Sequence, residues 1–214
     1  AVVLALIMAY AMRLRPGPVV HAANRLAGLG YAIPGAVIAI GILVPVARID
    51  NAVDAWMRAN FDISTGLLLT GSIAALVYAY LVRFLTVALQ TVEPGLAKIT
   101  PSMDEAARSL GVGQVGTLVK IHAPLMRGTL LTAALLVFVD VMKELPATFV
   151  MRPFNFDTLA VHAYNLAADE RLAEASTSAL AIVAVSLLPL IVLSRRIALS
   201  RSPASHAREG ALSG

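Results

Sequence analysis

Between residues 66 and 92 the only charged side chain is Arg83, and residues 1–12, 26–47, 129–151 and 175–193 are also dominated by apolar residues. A helix needs about 20 mostly apolar residues to cross a bilayer core, where lipid offers no partner to an unpaired backbone group. The first stretch is short of that length and the other four reach it. Their apolar character is continuous rather than periodic, which separates spans from amphipathic surface helices. The expected fold is therefore all-α: a polytopic transmembrane helix bundle.

Composition agrees. Of 214 residues, 58% are hydrophobic and 14% charged, with a mean hydropathy of +0.79. A soluble domain carries about 25% charged residues. The net charge of +4 and pI near 9.8 do not indicate nucleic acid, because the basic residues sit mostly at the ends of apolar runs. With no cysteine, disulfides and thiolate metal sites are excluded. Residues 1–12 have no basic leader and no evident cleavage site, so they read as the tail of a membrane helix rather than a signal peptide. The chain is accordingly expected to be a fragment of a longer one.

Basic residues cluster in alternate connections. Arg13, Arg15 and Arg25 lie in one; Lys98, Arg108, Lys120 and Arg127 in the next; Arg195, Arg196, Arg201 and Arg208 in the tail. The intervening loops are richer in acids, with Asp50, Asp54 and Asp62 in one and Asp157, Asp169, Glu170 and Glu174 in the other. The positive-inside rule then puts residues 104–124 and the tail in the cytoplasm. The outer loop after Arg48 has room for a short interfacial helix around Trp56. Small residues at helical spacing (Gly71, Ala75 and Ala79; Gly35 and Ala39) permit close helix approach, and an alanine-rich helix also shows such spacing by chance.

Residues 104–124 form a polar, glycine-gapped stretch between two apolar segments. Thr100 or Ser102 can cap a helix start, with Pro101 in its first turn. Ser102 and Glu105 have capping-box spacing. Ala106, Ala107 and Leu110 give this helix a small apolar face, and Gly111 and Gly113 are suited to end it. A second short helix is expected over about 115–122, leading to Pro124. An ordinary capped loop would share the box. However, Glu105, Ala106, Ala107 and Gly111, followed at fixed distance by Ile121 and Pro124, resemble the EAA loop of bacterial ABC importer permeases. The family commonly has leucine before the final proline, where this chain has Ala123.

The resemblance implies a type I ABC importer (MetI-like) permease fold. Residues 1–199 would be the membrane domain, 93–128 its cytoplasmic coupling loop and 200–214 a flexible cytoplasmic tail. Asp104, Glu105, Ala106, Ala107, Leu110, Gly111, Ile121 and Pro124 would form the coupling surface. The implied partners are a cytoplasmic ATP-binding ABC subunit, a periplasmic substrate-binding protein, a second permease half and the lipid bilayer of a bacterial cytoplasmic (inner) membrane. ATP would be used by the partner, since the chain has no phosphate-binding glycine loop, and no cofactor is implied. A second resemblance covers Phe138 to Phe149 and Arg152 to Ala160, which look like the second half of ferric-iron permeases. It extends over about residues 31–195 and leaves thiamine, sulfate and other small anions open as substrates.

Asp140, Lys143 and Glu144 fall inside the fourth apolar stretch. Intramembrane charges face a cavity or pair with each other. Asp140 and Lys143 share a helix face and can neutralise one another, and Pro146 favours a kink. These four residues are candidates for a translocation path or gate; locking the helix to a neighbour is the alternative. Arg83 is expected to snorkel to headgroups. His21, His122, His162 and His206 show no metal-site spacing, and His122 reads as a surface or contact residue. No catalytic nucleophile motif is present. An ion-gradient transporter would share the broken helices and membrane charges and has no use for the cytoplasmic hook.

Overall fold

A computed structural model describes residues 1–200 as ten helices and no strand. They are α1 (Val2–Leu14), α2 (Pro18–Ala27), α3 (Gly35–Phe61), α4 (Ile73–Ala97), α5 (Pro101–Ser109), α6 (Gln114–Leu125), α7 (Arg127–Met142), α8 (Pro146–Met151), α9 (Leu159–Ala168) and α10 (Leu172–Ser200). The expected tail, with Arg201, His206 and Arg208, lies outside the described residues apart from Ser200. Helices α3, α4 and the first twenty residues of α10 are long and apolar enough to cross a membrane. Helices α6 and α7 meet that test only together, bent by 78° at Met126.

Helix α4 is the axis of the bundle. One side packs on α1 and α7 through Ala5, Ala9, Leu85, Ala88, Leu89, Val92 and Ala133. The other packs on α3 and α8 through Ala39, Ala75, Leu76, Ala79, Ala147 and Met151. Six of these are alanines with no exposed surface: Ala5, Ala39, Ala79, Ala88, Ala133 and Ala147. Small side chains at the crossings let the backbones approach, which is how helices associate where lipid removes the hydrophobic drive. The close-approach reading thus holds for Ala39, Ala75 and Ala79. Gly71 instead lies in a turn at φ +71 with open space around it.

Apolar residues also cover the outside, among them Val3, Val37, Ile40, Val77, Leu180 and Leu188. Only 11% of the apolar window of α10 is buried within the chain, so the rest faces lipid or other protein.

Several expected boundaries shift. The stretch at 26–47 is not one helix: residues 28–34 interrupt it, and α3 then runs on through the expected interfacial helix, with Trp56 in its last turns. The 66–92 stretch starts its helix only at Ile73, where Ser72 accepts the Ala75 N–H at 3.2 Å. The preceding turn is held by α3. Buried Asp50 accepts the N–H groups of Leu69 (3.0 Å) and Thr70 (2.7 Å), and Asp54 those of Thr65 (2.8 Å) and Gly66 (2.9 Å). The 129–151 stretch is divided into α7 and α8, and α9, within an expected outer loop, packs along α10.

Candidate functional site

The stretch expected to be the coupling loop forms a two-armed hook of α5 and α6. Pro101 occupies the first turn of α5, where its missing N–H costs nothing. The expected capping box does not form: the Thr100 and Ser102 hydroxyls pair with each other at 2.9 Å, and neither accepts a helix N–H. The helix ends at Gly111, whose φ of +76 lets the Val112 N–H return to the Ala107 carbonyl at 2.9 Å. Gly113 does not end α5 but starts α6. The second arm runs to Leu125, longer than expected, and contains a wide π turn over Leu118–His122 just before Pro124 removes a backbone donor.

Asp104 faces inward. Its Oδ2 is 2.8 Å from Nε and 2.6 Å from Nη2 of Arg13 on α1, and its Oδ1 is 2.6 Å from His122 Nε2 on α6. The His122 contact is close but lacks hydrogen-bond alignment. Arg13 Nη1 also donates to the Leu96 carbonyl at 2.9 Å, and Tyr10 Oη donates to the Gln114 carbonyl at 3.0 Å. The Tyr10 ring meets the His122 ring edge-on, centroids 5.3 Å apart. His122 is fully buried, which corrects the expectation of a surface or contact residue; a histidine near the end of the second arm carries no sequence signal of burial.

The other hook residues divide by face. Ala107 is buried and Ile121 half-buried, while Glu105, Ala106, Gly111 and Pro124 are exposed. Leu110 is 81% exposed, Val115 75% and Val119 60%, so both arms carry uncovered apolar side chains, and Val115 and Val119 line a groove with Val3 and Ile7 of α1.

A second polar cluster lies against the middle of α4, where two interrupted helices meet. Backbone groups freed by a break at membrane depth need partners from neighbouring helices. At 28–34 they come from α4: Thr86 Oγ1 donates to the Ala27 carbonyl at 2.8 Å and accepts the Tyr31 N–H at 3.3 Å, and Arg83 Nη1 donates to the Ile33 carbonyl at 3.0 Å. At 143–145, Glu144 Oε1 accepts the Ala147 N–H at 3.0 Å. Arg83 Nε and Glu144 Oε2, 3.0 Å apart, tie the breaks together. Thr148 Oγ1 donates to the Glu144 carbonyl at 2.8 Å and lies 2.5 Å from Tyr80 Oη.

Arg83 therefore does not snorkel; Glu144 is 5% exposed and holds it inside. Pro146 does not kink a continuous helix. The helix stops at Met142 and restarts with Pro146 in the first turn of α8. Asp140 and Lys143 do pair, at 2.8 Å, apart from the Arg83–Glu144 contact. Lys143 borders two cavities of about 380 and 510 Å³ along α10. Sequence reasoning missed Arg13, Tyr10, Thr86 and Gly35. Only Gly35 carried a signal, as a small residue four before Ala39. Among the described residues no three His, Asp or Glu side chains gather as a metal site would require.

The Fe(3+)-transport system permease protein FbpB 2 of Haemophilus influenzae is 25% identical over 172 residues, which is 80% of this chain and 31% of that protein. A Salmonella typhimurium protein provisionally named as the 2-aminoethylphosphonate transport system permease protein PhnV is 26% identical over 167 residues, 78% of this chain and 57% of its own length. The chain thus spans about a third to just over half of these relatives. The family model described as binding-protein-dependent transport system inner membrane component matches residues 1–200, and the chain belongs to that family.

Proposed function

We propose that this chain is the translocation-path part of a MetI-like, type I ABC importer, carrying ferric iron across a bacterial inner membrane. Residues 1–199 form the permease domain, 93–128 its cytoplasmic hook and 200–214 its tail. The hook docks on an ATP-binding subunit through Glu105, Ala106, Leu110 and Gly111. A substrate-binding protein delivers cargo at the opposite face, and a second permease half completes the path. The carrying observation is the hook itself: a short helix held from inside by Asp104 while Leu110 on its outside has no partner among the described residues.

Glu144, with Asp140, Lys143 and Pro146 beside it, forms the gate. Closing and opening would part the two helix breaks that Arg83 and Glu144 now join. The relative named for 2-aminoethylphosphonate supports a second cargo class, a small phosphonate anion.

The test is ATP hydrolysis in proteoliposomes holding the full permease, its ATP-binding subunit and its binding protein, loaded with ferric ion or with 2-aminoethylphosphonate. Iron-dependent hydrolysis that collapses in Gly111→Asp and Glu105→Ala supports hook and cargo. Glu144→Gln should lower uptake while the complex still assembles. Stimulation by the phosphonate alone would replace the cargo, and hydrolysis indifferent to both hook variants would remove the hook's role.

A further inference from the structure

The hook is fastened from inside to α1 and to the end of α4. Helix α5 packs broadly against no other helix among the described residues, and Ala107 is its only buried residue. Beyond its chain connection to α4, its polar side-chain tie to the bundle among the described residues is one carboxylate. Asp104 holds Arg13 of α1 with one oxygen and His122 of α6 with the other. Arg13 in turn binds the Leu96 carbonyl in the last turn of α4. One cluster therefore joins both arms of the hook to α1 and α4.

Exposed ion pairs contribute little because water competes and the side chains must be ordered. This cluster is largely withdrawn from water: the Arg13 and Asp104 side chains are 17% and 19% exposed and His122 is fully buried. Removing one member leaves the opposite charge without compensation in a poorly solvated place, so the joint resists opening. Beyond it, α1 is packed along α4 through Ala5, Ala9 and Tyr10, so a pull on Arg13 reaches the axis of the bundle.

We propose that Arg13, Asp104 and His122 are positioning residues that lock the hook to α1, so that hook and α1 travel as one body when the ATP-binding subunit moves the hook. The proposal rests on the importer reading above. It differs from that reading in naming α1 as the driven helix and a buried joint, rather than the docking surface, as its fastening.

The chain has no cysteine, so introduced pairs can carry spin labels. In the reconstituted full complex, one pair at Val3 and Ser109 reports α1 to hook, and one at Leu67 and Ser109 reports outer turn to hook. With the joint intact, ATP should shift the second distance and leave the first unchanged. In Arg13→Gln, and in the isosteric Asp104→Asn that guards against misfolding, ATP should shift the first distance while the ATP-binding subunit still co-purifies. ATP-driven uptake per ATP should then fall on the order of tenfold, within the usual range of inter-site coupling. His122→Gln, which keeps a donor, should retain the fixed first distance. A first distance that shifts with the joint intact, or parental distances in both variants, overturns the joint. If ATP moves neither distance in the parent, the importer reading falls and the joint with it.

Discussion

At Gly35 one added methyl would meet a buried ion pair. A Cβ there would stand 2.5 Å from Glu144 Oε1 and 2.8 Å from Arg83 Nη1, both already committed to their ion pair and to backbone groups. Gly41, six residues further along α3, has open space. Gly35→Ala should therefore destabilise the protein by about 1–3 kcal/mol through overpacking, whereas Gly41→Ala should stabilise it by up to about 1 kcal/mol through helix propensity. Thermal unfolding of the two variants in detergent checks the opposite signs. The small-residue spacing pointed to Gly35 as a packing position. That it packs against charges was not legible, since Arg83 and Glu144 are far apart in sequence and each had a plausible local role as a snorkelling or path residue.

Elements depart from the sequence reading mainly where polar side chains interrupt apolar runs. Continuous hydropathy announced membrane helices, and all the expected apolar stretches do contain helix. Hydropathy is blind to a break such as 28–34, whose residues stay apolar while Thr86 and Arg83 of another helix satisfy its backbone. The turn before α4 is settled in the same way, by Asp50 and Asp54 reaching across from α3. Asp50→Ala should leave the N–H groups of Leu69 and Thr70 unpaired, at a cost of about 1–3 kcal/mol. Limited proteolysis within 63–71 should then become faster than in the parent, and an unchanged cleavage rate would show that the turn holds without the carboxylate. The hook was better announced: glycine at 111 tolerates the positive φ that ends the helix, and proline at 101 suits a first turn. The capping box failed because Thr100 and Ser102 satisfy each other.

At the scale of the molecule, the apolar exterior and the alternation of basic and acidic connections give one testable topology. A single cysteine at Leu67 should react with an impermeant maleimide in intact spheroplasts, and one at Ser109 only after permeabilisation; the reverse pattern would invert the protein in the membrane. The sequence by itself determined an all-α membrane chain, its number of apolar stretches, the place of the hook and the pairing of Asp140 with Lys143. These depend on composition and on contacts a few residues apart, which chain connectivity enforces. Only the tertiary structure decided that Arg83 meets Glu144 and that Asp104 gathers Arg13 and His122. Each buried charge is held by a partner whose choice depends on which helices lie side by side, and in an apolar, alanine-rich bundle that choice is made by packing rather than by pattern.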